Sequence, residues 1–194
     1  MLARWTESAG QYQGVEKAHV EKAVTAMPGV IDLEMGLPAY EEQKTALRMD
    51  LVALERDNSA LNIVFWEVKM IGDGRLRARG EPEVFRQIKA YEDYLACWER
   101  RQRVIEAYRR TCRLFRDFGE VAHHALGTPL VDPIVYEAAT DNSPLTIDET
   151  PRLMIFDDGL PRNEQAWQAH LARLEQRTRV SLVPVDGFQL TVAA

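Results

Sequence analysis

The sequence predicts an α/β sandwich, a central mixed sheet flanked by helices and carrying a helical and loop-rich insertion. Three observations predict it. Two apolar runs, at 45–54 and 61–69, flank a turn that holds Asp57-Asn58-Ser59, which makes an antiparallel hairpin. A strand–helix–strand succession at 153–185 has the length of a parallel crossover. Helical repeats lie before and after the hairpin. With 194 residues, 46% hydrophobic and 28% charged, the chain suits one domain, 1–194, with the insertion at about 100–150.

The elements follow in order. Residues 13–27 read as an amphipathic helix, since Val20, Ala23, Val24 and Met27 recur at helical spacing and Pro28-Gly29 ends the pattern. Residues 30–35 form a short strand stopped by Gly36 and Pro38, and the hairpin comes next. The loop 70–80 holds Gly72-Asp73-Gly74 and then Arg75, Arg77 and Arg79 at every second position. Pro82 and its acidic neighbours open a helix with Val84, Ile88, Tyr91 and Leu95 on one side. Helical character continues, with a break near residue 99, to about residue 118. Residues 119–150, punctuated by Gly127, Pro129, Pro133 and Pro144, read as loop. A strand at 153–156, a helix at 162–176 and a strand at 180–185 close the chain. Trp66 and Trp98 are expected in the core.

No apolar run reaches the roughly 18 residues of a membrane span and the first residues lack signal-peptide character, so the expected location is cytoplasmic, with no membrane partner. Cys97 and Cys112, the two cysteines, lie 15 residues apart in a helical stretch. That separates them by roughly 22 Å if the helix is continuous, against the ~7 Å a disulfide spans. Two isolated cysteines also give no zinc framework. The net charge of −6 is no advertisement for nucleic acid, yet the arginines crowd into residues 75–116.

Chemistry concentrates in the hairpin. Alternation places Glu67 and Lys69 on one face with Val68 on the other, and Asp50 can reach the same face from the opposite strand. Two carboxylates are the usual protein share of a Mg²⁺ site. A lysine beside them can orient water or offset phosphate charge. Glu-x-Lys is common, and the bland reading is a strand-edge ion pair. The surrounding order of elements gives it weight.

Arg48-Met-Asp50-Leu-Val-Ala-Leu, the hairpin, Ile63-Val-Phe-Trp-Glu67-Val-Lys69 and then Gln87-Ile-Lys-Ala-Tyr91 resemble the PD-(D/E)XK nuclease superfamily. More narrowly they are similar to its RecB-like branch and to endonucleases of the NucS type. The resemblance implies a restriction-endonuclease-like fold and a Mg²⁺- or Mn²⁺-dependent deoxyribonuclease acting in repair, recombination or defence. It implies that Asp50 and Glu67 bind metal, that Val68 lends its carbonyl, and that Lys69 is catalytic. Gln87 and Tyr91 would contact substrate or support the site. Asp50 is not preceded by Pro, and the stretch after Tyr91 is long for the minimal fold.

Related nucleases often add a glutamate from the first helix. Of Glu16 and Glu21, Glu16 lies within the apolar arc and is favoured as a further metal ligand. Arg75, Arg77 and Arg79 are placed to meet a backbone phosphate. Arg109, Arg113 and Arg116 form a stripe that is either a phosphate track or a solvated face paired with Glu106 and Asp117. His19, His123 and His124 are expected in packing or loop roles. DNA is the expected partner, with RNA left open, and a homodimer or partner protein is compatible. The alternatives are a nuclease-fold module that binds nucleic acid or protein without turnover and, further off, a glycoside hydrolase using paired carboxylates.

Overall fold

Six strands form one sheet in a computed structural model of the chain, which describes residues 15–39, 46–57, 60–77, 81–127 and 129–184, with side chains from His19 onward. Helix α1 (Val15–Ala26) leads into β1 (Val30–Leu37), β2 (Leu47–Asp57) and β3 (Ala60–Met70). A single 3₁₀ turn (Gly74–Leu76) precedes α2 (Glu83–Ala96), α3 (Trp98–Leu126) and α4 (Pro133–Ala138). Then come β4 (Leu145–Ile147), β5 (Arg152–Asp157), α5 (Glu164–Glu175) and β6 (Val180–Pro184). The strand order is β1-β2-β3-β5-β6, with β4 also on β3. β1, β2 and β3 pair antiparallel, whereas β4 and β5 run parallel to β3, and β6 parallel to β5. The expected hairpin and parallel crossover are both present, and the sheet is mixed.

β3 is central and nearly all buried, which is why it reads as a continuous apolar run. Alternation sends Leu61, Ile63 and Phe65 to one face, where they pack with Tyr91, Tyr94 and Leu95 of α2 and Val104, Ile105 and Tyr108 of α3. Val64, Trp66 and Val68 go to the other, against Ala23 and Met27 of α1. A third cluster joins Leu153 and Ile155 of β5 to Val84 and Ile88 of α2 and Trp167 and Leu174 of α5. In register Glu67 stands beside Leu153 and Lys69 beside Ile155. The two charged residues therefore interrupt one apolar face between two packed clusters.

Several expectations need correction. The break between α2 and α3 falls at Cys97, whose ψ of 118° leaves the helical range. The break re-phases the helix that follows, so Trp98 lies in the first turn of α3 and is 61% exposed instead of buried. α3 runs on to Leu126, and Gly127, at φ 73°, caps it. The stretch read as loop holds α4 and β4. Asp132 caps α4 by accepting the Ile134 N–H, with Pro133 in the first turn. β4 has three residues and exists through its pairing with Leu61–Ile63, too short to leave a period in the sequence.

The arginine stripe divides: Arg116 pairs with Asp117 at 2.8 Å, as a solvated face would, while the other two take a third role. Arg109 is buried and donates to the carbonyls of Ala138, Thr140 and Ser143, and Arg113 donates to Ala139 at 3.2 Å. Both clasp the C-terminal end of α4 to α3. Cys97 and Cys112 are free. No helix among the described residues is long and apolar enough to cross a membrane.

Candidate active site

Asp50 sits where the sheet forks. β2 pairs with β1 at Met49 and Leu51, and with β3 from Leu51 onward, but Asp50 itself has no ladder partner on either side. Glu34, in the stretch of β1 opposite, has a φ of 50°, rare for a residue with a Cβ. The backbone turns over here: Met49 and Val52, three residues apart, join the same core cluster, while Leu51 joins the other. Beyond Trp66, β3 leaves β2 and is paired by β5. Its Val68 N–H, released from β2, donates to Asp50 Oδ2 at 2.7 Å. A strained turn in β1 thus frees one carboxylate to cap the strand that carries the other.

The expected trio does come together. Lys69 Nζ lies 2.5 Å from Glu67 Oε1 and 3.6 Å from Asp50 Oδ2, and it donates to the Val68 carbonyl at 2.8 Å. Glu67 and Lys69 are 2% and 1% exposed, so this ion pair is cut off from water. Three oxygens from two strands therefore converge on one cationic nitrogen.

The cluster is electrostatically unfinished. Glu67 Oε2 is buried with no hydrogen-bond partner, and so are Gln87 Oε1 and the Tyr91 hydroxyl on α2. Burial pushes the Glu67 carboxyl up to about 7; the Lys69 ammonium pulls it down and the Asp50 charge pushes it up again. Burial also raises the Tyr91 phenol, with the Glu67 and Asp50 charges adding to it, so its proton stays on. Buried polar atoms ordinarily find partners, and the orphaned Glu67 Oε2, with the Tyr91 hydroxyl near enough to feel its charge, makes this cluster the candidate site.

The remaining predicted residues divide. Arg75 is half-buried, donates in a fork to Asp73, and lies near enough for its charge to act on Glu67. Burial raises the Asp73 carboxyl, but the Arg75 hydrogen bonds and charge, with Lys69 beyond, hold it below its usual range. Asp73 was not singled out from sequence; its signal was the Gly72-Asp73-Gly74 turn, where it caps the 3₁₀ turn. Arg77 donates to the Ile71 carbonyl and lies 5.6 Å over the Trp167 ring, a packing clamp. Arg79 lies outside the described residues, as does the Glu16 side chain. Glu21 is exposed, and α1 packs on the sheet face opposite Glu67 and Lys69. His19 is buried edge-on against Phe156, and His123 and His124 lie exposed in the last turn of α3.

A cavity of about 640 Å³ lies on the opposite sheet face, lined in part by Met27, Leu54, Trp66, Arg152 and Leu182. Arg152 at its wall is already held by Glu55 and Asp148. The cavity is therefore a weaker candidate than the cluster that leaves Glu67 Oε2 unpartnered. Among the described residues no three His, Cys, Asp or Glu side chains gather at metal-ligand spacing, and the cluster offers two carboxylates and a carbonyl. No family model matches the chain, and no curated protein or solved structure matches it either.

Proposed function

We propose that the chain is a metal-dependent deoxyribonuclease of the PD-(D/E)XK kind that hydrolyses phosphodiester bonds with Asp50, Glu67 and Lys69. The observation that carries this reading is the cation nest around Lys69 Nζ, made of a Glu67 oxygen, the Val68 carbonyl and, further off, an Asp50 oxygen. Oxygen donors from two carboxylates and a carbonyl suit Mg²⁺ or Mn²⁺, which complete their shells with water and phosphate. The orphaned Glu67 Oε2 fits the same demand. Asp50, Glu67 and the Val68 carbonyl would hold the ion, which when bound acidifies a coordinated water and offsets charge on the phosphate.

The protein's own groups supply the rest. With an ion held by those oxygens, the Lys69 ammonium would be free to turn toward the attacking water or a phosphate oxygen and to donate to it. The Tyr91 hydroxyl, kept protonated, is a second donor beside Glu67. Arg75, once it releases Asp73, can meet a phosphate from the loop that follows β3. In the hydrolysis the water oxygen bonds to phosphorus as the bond to the leaving sugar oxygen breaks; the water gives up a proton to solvent, and the leaving oxygen takes one from solvent.

The test is cleavage of linear, circular single-stranded and branched DNA with Mg²⁺, Mn²⁺ or EDTA, alongside Glu67→Ala and Lys69→Ala. Cleavage that needs metal and is lost in both variants supports the reading. A folded wild type that cleaves none of these substrates under any metal overturns it. The second reading, a binding module without turnover, is favoured by the fact that Lys69 already neutralises Glu67. Such a module would gain no thermal stability from Mg²⁺ or Mn²⁺ through Asp50 and Glu67.

A further inference from the structure

Helix α3 carries apolar side chains on two sides. One side seats Val104, Ile105, Tyr108 and Cys112 in the body of the protein. At Gly119, on that same side, a Cβ would stand 2.7 Å from the Tyr136 hydroxyl and 2.8 Å from Val131 Cγ2, so the segment around α4 lies flush against the helix. Among the described residues the other side carries large exposed apolar side chains. Leu114, Phe118 and Val121 are 53%, 64% and 69% exposed. One exposed leucine is ordinary. These three follow a four-then-three spacing that Ala107, Thr111 and Ala125 continue in both directions. That spacing is the 3.5-residue repeat of a helix packed along another helix. At about 100° per residue the seam is centred roughly 130° round from the buried side, clear of the protein's own body.

We propose that this seam pairs with itself on a second copy of the chain, the two α3 helices running antiparallel about a two-fold axis. Chemistry favours that occupant. With the axis between Gly119 and Glu120, Phe118 meets Val121 of the second copy and Leu114 meets Ala125, large against small. The same register sets Asp117 beside His124 of the second copy, and the symmetry makes each contact twice. Asp117 already pairs with Arg116 at 2.8 Å yet keeps 62% of its side chain exposed, so an oxygen remains for the incoming imidazole. Helix-on-helix burial over this length is of the order of 500 Å² per copy, about 1,000 Å² in all, the lower bound for a specific interface. The pairing is accordingly weak and concentration-dependent. It stands apart from the nuclease reading, and neither depends on the other.

Sedimentation velocity of the full chain from about 1 to 300 μM tests it, a range that brackets a micromolar Kd. The mass is expected to climb from 22.2 kDa towards twice that value. Phe118→Glu and Val121→Glu, both at exposed positions, should hold the chain monomeric with an unchanged circular dichroism melt. Asp117→Lys should weaken the dimer about tenfold, since the two symmetry-related contacts each lose the carboxylate that accepts from the imidazole, and Asp117→Lys combined with His124→Glu should restore it as a charge pair. A chain that stays monomeric throughout overturns the proposal and leaves the seam to a different helical partner. A dimer indifferent to Phe118→Glu overturns it as well, because another surface then makes the contact.

Discussion

Two clusters of two carboxylates and one base occupy neighbouring strands, on opposite faces of the sheet. Glu55, Asp148 and Arg152 form one. Arg152 donates to Glu55 at 2.5 Å and to Asp148 at 3.0 Å, and its guanidinium lies over Trp66, whose indole N–H donates to Glu55 at 3.2 Å. Asp148 also accepts from the Thr150 backbone. Asp50, Glu67 and Lys69 form the other. It is more deeply buried, yet Glu67 Oε2 has no partner and the carboxyl is driven up to about 7 by burial. The same residue types thus close one network and leave the other open. An ion pair by itself marks no site; unmet demand for a further charge does.

The comparison breaks most sharply on activity. Glu67→Gln or Lys69→Ala should lower metal-dependent cleavage by at least about 10²–10³-fold, the scale of losing one preorganised electrostatic group. Arg152→Ala should leave turnover per folded molecule within about twofold in the same assay. Lys69→Ala should still bind Mn²⁺, as it empties the nest, and calorimetry can separate binding from cleavage.

Stability should sort the clusters the other way. Arg152→Ala leaves Glu55 and Asp148 without their shared guanidinium and should cost roughly 1–2 kcal/mol in urea unfolding, between an exposed and a buried pair. Glu67→Gln should cost less, because the amide keeps an oxygen for Lys69 and the charge it removes is one that burial disfavours.

Acidity gives the third test. The folded-state value of Glu67 is raised, so between about 4.5 and about 7 the native protein holds a proton that the unfolded chain has released. In metal-free buffer stability should therefore fall as pH rises through that window and level off above it, by at most about 3 kcal/mol. Glu67→Gln should flatten the slope. The smallest effect belongs to Tyr91→Phe. Its hydroxyl has no partner to lose, so stability should change by less than about 1 kcal/mol while cleavage drops several-fold.

Much of this was legible because alternation in a hairpin is a strong constraint. Glu67 and Lys69 on one face with Val68 on the other, and Tyr91 on the apolar side of the next helix, follow from spacing; that this helix lies by Glu67 was implied only by the family resemblance. The fork that frees Asp50 was not legible, because its cause is a left-handed backbone at Glu34, a residue type that gives no warning of it. β4 depends on a partner strand far away in sequence and has no period of its own. The Asp132-Pro133 start of α4 is readable in the sequence but falls within a stretch whose Gly and Pro residues read as loop. Trp98 was misplaced because a two-residue error in the position of a helix break changes which side of the next helix faces inward. Arg109 and Arg113 were read as surface charges, since no pattern in the sequence says that a helix end will lie beneath them.

β3 draws its neighbours from very different distances along the chain. On one side Ala60 pairs with Asp57, three residues back in the chain, whereas on the other Thr146 reaches the Leu61 carbonyl across 85 residues. Closing a short loop costs little entropy and happens early; the distant pairing is slow. All three oxygens around Lys69 lie within residues 50–69, so the nest can assemble with the hairpin. Its apolar cover on β5 and α5 arrives only after the rest of the chain is made. Between those events the most apolar strand of the protein has one bare edge, a template for pairing with a neighbouring chain. The yield of correctly folded protein should then depend on synthesis rate and temperature more than on the stability of the finished fold.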